Sequence, residues 1–248
     1  EGTLAFLSEV TLRTVPVDAL QASAMIYFEN ISDAAEAVVA IRNLDINAAE
    51  LLDRRSLASV GDRTGQIDGE ADKDITAVLT QTVAETPEAL ERQIKEITDA
   101  LSPYKTVTPV NFSTDAAECA RYWAIRSGIF PTVGGMRKQG TTCLIEDIAF
   151  HIEDLPKATV ELSELLDRHG YDDSCIYGHA LEGNFHFIIN QAFDSDADVA
   201  RYEAMIRDVA EMVVGRYDGS LKAEHGTGRN MAPFVEYEWG SKAFAIMK

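Results

Sequence analysis

Hydrophobic positions recur along the chain with two different periods, about 2 residues in some segments and about 3.6 in others. The first period is typical of strands and the second of helices, so the pattern divides the chain into short strands and helices. Runs rich in Val and Thr are typical of strands, and capping signals such as Thr86 before Pro87, or Asp33 with Glu36, indicate helix starts. The predicted strands span residues 4–15, 24–28, 75–83, 105–112, 141–152, 173–178, 185–190 and 221–224. The predicted helices follow Asp33, span 47–59, 87–101, 113–126, 155–169 and 196–214, and begin again at Pro233.

The order strand, helix, strand, strand, helix, strand occurs twice in this pattern. It predicts an α+β fold with antiparallel sheets and helices on one face. Residues 61–73 are rich in Gly and Asp and predict a flexible loop, and residues 128–140 predict an irregular basic segment.

Composition and charge exclude several classes of protein. The 248 residues include 22 Lys and Arg against 41 Asp and Glu, a net charge of −19, which argues against nucleic-acid binding and against anchoring on an anionic membrane. No apolar run approaches the roughly 20 residues that span a bilayer. The three cysteines form no CxxC pair, which favours a reducing, cytoplasmic location. Because the chain begins with Glu1 and stops at Lys248 inside a predicted helix, we expect it to be a piece of a longer protein.

The most informative segment is residues 178–186, GHALEGNFH. Its histidines, His179 and His186, lie seven positions apart, which would place them on opposite faces of a continuous strand. Gly183 and the intervening turn break the strand, so both imidazoles can converge at one end of a hairpin and bind a divalent ion such as zinc. The alternative is that each histidine caps a turn or fills a polar core position.

A second segment, residues 222–229 (KAEHGTGR), places Glu224 beside His225 at a sharp glycine turn. We predict that His179, His186 and Glu224 form a three-ligand metal site with an open position. His225 would then take a proton from a substrate oxygen. A surface Glu–His ion pair is the alternative interpretation.

A third region combines a helix carrying Trp123 and Arg126 with the glycine-rich basic stretch 134–142. A guanidinium group clamps carboxylates well, which predicts an anionic substrate, although a solvated basic loop is the simpler interpretation. Trp123 is expected in the core, and Glu146 with Asp147, in a strand, indicate no catalysis by themselves. No nucleotide fingerprint or nucleophile elbow is present.

Together these motifs resemble the C-terminal, substrate-binding half of FAD-linked oxidases of the vanillyl-alcohol-oxidase type, in particular the D-2-hydroxyacid and D-lactate dehydrogenases. The family pattern GHxGDGNxH is matched by residues 178–186, with Leu181 and Glu182 departing from it, and the pattern EHGxG by residues 224–228. The TrpxxArg helix and the GluAsp strand are matched as well. The tail 226–233 is most similar to long members that carry a fused iron–sulfur domain.

The resemblance implies a fold of two ferredoxin-like (βαββαβ) halves, with residues 1–16 as the last strand of a preceding FAD-binding domain and 17–248 as the substrate-binding domain. It implies the metal ligands His179, His186 and Glu224 and the general base His225. It also implies Arg126, Lys138 and Asn184 as substrate-binding residues. Ile188 stands where several relatives have a substrate-contacting Asn, which leaves the far end of the substrate open.

The implied function is oxidation of a D-2-hydroxyacid, D-lactate or D-2-hydroxyglutarate, with hydride passed to FAD. The implied cofactors are FAD bound mainly outside this chain, a divalent metal such as zinc, and a 4Fe-4S cluster further downstream. The implied partners are the small anionic hydroxyacid and the FAD-binding and iron–sulfur domains, and this piece alone is expected to be inactive. A metal-dependent hydrolase and a non-catalytic interaction domain remain open as alternatives.

Overall fold

Six strands and eight α-helices appear in the computed structural model, which describes residues 4–14, 20–61 and 74–248. The strands are β1 (Leu20–Phe28), β2 (Ala48–Leu52), β3 (Thr76–Ala84), β4 (Thr142–Ala149), β5 (Cys175–His179) and β6 (Asn184–Gln191). The helices are α1 (Ile31–Ile41), α2 (Arg54–Val60), α3 (Pro87–Leu101), α4 (Ala116–Met136), α5 (Leu155–Arg168), α6 (Asp196–Ala210), α7 (Gly228–Met231) and α8 (Val235–Met247).

All six strands form one antiparallel sheet in the order β1-β3-β2-β5-β6-β4. Two related halves contribute three strands each: β4 to α6 has the order βαββα, and β1 to α3 has the same order with the extra helix α2 between β2 and β3. The halves meet where β2 pairs with β5. The α+β class is therefore confirmed, and the repeated order of elements is visible in the sheet. The register at the junction sets Glu50 opposite His179.

The prediction of a fourth strand in each half is wrong. Residues 105–112 and 221–224 form no strand, and isolated bridges from Phe28 to Thr106 and from Ala149 to Ser220 stand in their place. In the first half Pro109 removes a backbone donor that a strand would use. In the second half the backbone N–H groups bind a side chain instead, as described below.

The prediction of helices on one face is also wrong, because helices cover both faces of the sheet. On one face α1, α3, α5 and α6 enclose the larger apolar core, which includes Val38, Ile97, Leu162 and Val209. On the other face α2 and α4 enclose a smaller core that includes Leu57 and the α4 residues with buried side chains. The candidate site lies on this second face.

Several predicted boundaries differ from the structure. Residues 4–14 form neither helix nor strand and are exposed, and most of the predicted loop 61–73 lies outside the described residues. The first helix is capped by Asn30, whose side chain accepts from the backbone of Asp33, and not by Asp33. Residues 47–59 comprise β2 followed by α2, because the buried run in β2 pairs with β3.

The prediction of an irregular segment at 128–140 is wrong, since α4 continues to Met136 through Pro131. Glycine and proline in this stretch argue against a helix, but Ile125, Ile129 and Val133 recur at the helical period and are all buried. Burial of this stripe outweighs the weak local propensity.

Candidate functional site

The hairpin of β5 and β6 brings His179 and His186 together on the face covered by α4. His186 pairs with Tyr177 across the strands, and His179 lies two residues beyond Tyr177, so all three side chains share a face. A single 3₁₀ turn, Ala180–Glu182, separates the two strands. The imidazole rings are 5.5 Å apart and perpendicular.

Two glycines are required by close backbone contacts in this hairpin. A Cβ atom on Gly178 would lie 2.4 Å from the carbonyl oxygen of Asn184. Gly183 has a φ of 68°, and a Cβ there would lie 2.1 Å from the carbonyl oxygen of Phe150. These contacts give a structural reason for the glycines that flank the histidines.

The loop that carries Glu224 and His225 is held by one buried carboxylate. Oδ2 of Asp147 accepts hydrogen bonds from the backbone N–H groups of Ala223, Glu224 and His225 at 2.7–2.9 Å. Burial alone would raise the pKa of Asp147, but the neighbouring His186, the amide of Asn184 and these N–H groups outweigh it and lower the pKa. Asp147 is thus ionised, and it fixes the direction of the loop.

Three donor atoms converge at the end of the hairpin. Oε1 of Glu224 lies 3.1 Å from Nε2 of His179 and 3.3 Å from Nε2 of His186. Tetrahedral ligands on zinc, with bonds of about 2.0–2.1 Å, are separated by about 3.3 Å. Both distances are close to this separation, and all three donor atoms lie within 4.8 Å of one another, so the group is a candidate to hold a divalent metal ion.

A second group of potential ligands, Asp147, His186 and His225, shares one histidine with the first. The rings of His186 and His225 are stacked, with centroids 4.7 Å apart and planes at 6°. Because the lone pairs of an imidazole lie in the ring plane, two stacked rings do not direct them at a common point. The first group is therefore the better candidate for a metal site.

Glu50, which the sequence analysis missed, supports His179 from the opposite side. Its Oε1 lies 2.6 Å from Nδ1 of His179, and its Oε2 accepts from Nε of Arg126 at 2.8 Å. Glu50 is 4% exposed. Burial pushes its pKa up, yet the hydrogen bond with His179 and the charge of Arg126 leave the pKa lowered, while the same bond raises the pKa of His179. The sequence signal that could have identified Glu50 is an acidic residue inside the otherwise apolar strand β2.

An ionised carboxylate can only accept, so Nδ1 of His179 carries a proton beside Glu50. In the neutral imidazole, Nε2 then presents its lone pair toward Glu224 and His186. Carboxylate–histidine pairs of this kind orient metal ligands in many proteins. The arrangement therefore supports a metal-binding function for His179.

A cavity of about 510 Å³ opens beside these groups. Arg126 lines it and packs over the ring of Tyr177, at 4.7 Å from the centroid. His225 lines it as well, with a side chain that is 44% exposed. Trp123, expected in the core, packs partly on the smaller core but also lines this cavity.

Four other residues named from the sequence lie away from the cavity lining. Lys138 is exposed beyond the end of α4. Asn184 is buried, donates to Asp147 at 2.6 Å and lines a smaller neighbouring cavity with His179 and Glu224, so its role toward a substrate stays a prediction. Ile188 is buried in the smaller core. Glu146 faces the opposite side of the sheet from Asp147, and there burial raises its pKa to about 7.

The chain belongs to the FAD-linked oxidases, because residues 18–248 match the model of the C-terminal domain of that family. It is 25% identical to a mitochondrial D-lactate dehydrogenase [cytochrome] of Arabidopsis thaliana, over the whole chain and 42% of that protein. It is 24% identical to the glycolate oxidase subunit GlcD of Bacillus subtilis and to a D-2-hydroxyglutarate dehydrogenase of Stutzerimonas stutzeri, over the whole chain and 51% and 53% of those proteins.

These relatives confirm the family that the sequence motifs predicted, and the chain spans about half of their length. Among solved structures, an alkyldihydroxyacetonephosphate synthase has the same fold, with a TM-score of 0.60 and 12% identity over 83% of this chain and 40% of that one. Within residues 4–14, 20–61 and 74–248, every helix is too short or too polar to cross a bilayer.

Proposed function

We propose that this chain forms the substrate-binding part of a FAD-dependent dehydrogenase that oxidises a D-2-hydroxyacid, such as D-lactate or D-2-hydroxyglutarate, to the 2-oxoacid. The observation that carries the proposal is the convergence of Glu224, His179 and His186 with His225 and Arg126 around one cavity. The names of the relatives, which act on D-lactate, glycolate or D-2-hydroxyglutarate, support the same class of substrate.

Each side chain has a role that its position supports. Arg126 binds the substrate carboxylate through the part of its guanidinium group that Glu50 does not engage. His179, His186 and Glu224 hold a divalent metal, and zinc suits two imidazoles and a carboxylate. The chemistry that a bound metal would supply is polarisation of the substrate hydroxyl, and that of the flavin would be acceptance of the hydride.

His225 accepts the hydroxyl proton. Stacking on His186 keeps its ring beside the donor atoms, and the backbone N–H of His225 is held by Asp147. Its exposed edge faces the cavity, where a substrate oxygen can approach within hydrogen-bonding distance. Most of the FAD-binding surface, the downstream 4Fe-4S cluster and the cytoplasmic location remain predictions about the longer protein.

The test is reduction of an artificial electron-accepting dye by the full-length, FAD-loaded protein with D- and L-2-hydroxyacids. We expect reduction with a D-acid, at least tenfold slower reduction with its L-enantiomer, loss of activity after chelation, and recovery when zinc is added. Chelator-sensitive hydrolysis of an ester or amide, without dye reduction, would support the metal-dependent hydrolase instead.

A further inference from the structure

One face of α4 forms a wall of the cavity. Trp123, Arg126, Ser127 and Phe130, at positions i, i+3, i+4 and i+7, all line it. This spacing puts the four side chains on one side of a helix. The carboxylate-binding arginine therefore lies between two aromatic rings, one turn before it and one turn after it.

The surface that this wall offers to a ligand is apolar. The indole N–H of Trp123 donates to Gln81 at 2.6 Å, so the residue presents its ring and not its polar group. Phe130 is 42% exposed although its ring lines the cavity. Ile145, from β4, continues the apolar surface next to Tyr177.

Charge is distributed unevenly around the same cavity. Among its lining residues in the described part of the chain, Arg126 is the one Lys or Arg, and it is already paired with the buried Glu50. A ligand with one carboxylate can be matched by Arg126, whereas a second carboxylate lying against Phe130 and Ile145 would lose its hydration with no second Lys or Arg in the lining to pair it.

We infer that the substrate is a D-2-hydroxy monocarboxylic acid whose side chain is apolar and larger than methyl, with that side chain lying against Phe130 and Ile145, on the side of Arg126 away from Trp123. This inference rests on the proposed function and narrows it, because it favours branched aliphatic or aromatic hydroxyacids over D-2-hydroxyglutarate and D-malate. Each buried methylene group contributes about 0.8 kcal/mol, or about fourfold in kcat/KM.

The experiment compares kcat/KM of the full-length, FAD-loaded protein for D-lactate, D-2-hydroxyisocaproate, D-3-phenyllactate, D-malate and D-2-hydroxyglutarate. With three more carbons than D-lactate, D-2-hydroxyisocaproate should be better by at least about tenfold. The two dicarboxylates should be worse than D-2-hydroxyisocaproate by about a hundredfold or more.

Two variants test the wall itself. Phe130→Ala should lower kcat/KM for D-2-hydroxyisocaproate by about tenfold more than for D-lactate. Phe193→Ala is the matched control, since Phe193 is 45% exposed and lies outside the cavity lining. It should change neither value.

The outcomes separate this inference from the proposed function. Preference for a dicarboxylate, or equal values for D-lactate and D-2-hydroxyisocaproate, would overturn the inference and leave a D-2-hydroxyacid dehydrogenase in place. Equal losses for every substrate in Phe130→Ala would overturn the contact with the substrate side chain. Absence of dye reduction with any D-2-hydroxyacid would reject the proposed function, and the inference with it.

Discussion

Replacing Glu50 by Gln removes one charge from the network that joins His179 to Arg126, while keeping the size of the side chain. Glu50 is buried, and its two oxygens are each engaged by a donor at 2.6 and 2.8 Å. A glutamine can offer one acceptor, so its amide N–H₂ group must face either the imidazole N–H or the guanidinium N–H. Either one of the two contacts is lost, or His179 takes the other tautomer, in which Nε2 carries the proton and cannot bind a metal.

The expected loss in metal affinity is about 10–100-fold, the usual effect of removing a carboxylate behind a ligating histidine. That loss corresponds to about 1.4–2.7 kcal/mol. The KM for the hydroxyacid should rise by a much smaller factor than the metal affinity falls. The reason is that Glu50→Gln leaves less negative charge beside Arg126 to compete with the substrate carboxylate. Loss of metal without loss of carboxylate binding is the signature of a residue that acts through His179.

The assay is competition between the full-length protein and a chromogenic chelator, with KM measured at saturating metal. Glu182→Gln is a matched control, since Glu182 is an exposed acid in the turn that follows His179. Thermal unfolding followed by circular dichroism shows whether each variant is folded. A folded Glu50→Gln that holds metal as tightly as the wild type would refute the reasoning.

Three further predictions concern other side chains. His225→Ala should lower kcat/KM by about 10²–10⁴-fold, the range for a general base, with metal content unchanged; a fall of less than about tenfold would remove His225 from the chemistry. Asp147→Asn should lower the free energy of unfolding in urea by about 3 kcal/mol, because a charged acceptor of three backbone N–H groups is lost, and an unchanged midpoint would contradict that role. Burial raises the pKa of Asp53 from 3.8 to about 6. An acid whose pKa is raised by folding destabilises the fold once it ionises, so the free energy of unfolding should fall by up to about 3 kcal/mol from pH 4 to pH 7. Asp53→Asn should lack that fall, and parallel pH profiles for the two proteins would count against it.

Local sequence signals predicted the parts of the site that are close together along the chain. The glycine-flanked pair His179 and His186 indicated a hairpin, and the structure shows the hairpin with both rings on one face. Thr86 before Pro87 marked a helix start that the structure confirms, with the Thr86 side chain accepting from the backbone N–H of Ala89. In each case the physical cause is a short-range contact or a backbone angle that a few neighbouring residues determine.

Contacts between distant segments could not be read from the same signals. Glu50 meets His179 across 129 positions, because β2 and β5 pair at the junction of the two halves. The predicted strand 221–224 is absent for a related reason. The backbone N–H groups of residues 223–225 bind the side chain of Asp147, which lies 76 to 78 positions away. The position of Asp147 within a predicted strand gave no sign of this role.

The convergence of His179, His186 and Glu224 is tested most directly by the metal content of the full-length protein. Wild type and Glu224→Ala are purified without chelator, dialysed against metal-free buffer and measured by inductively coupled plasma mass spectrometry. We expect the wild type to retain about one equivalent of a divalent metal, with zinc the best fit to the ligands, and Glu224→Ala to lose most of it. Wild-type protein without that metal, or a variant that keeps all of it, would contradict the assignment of this site.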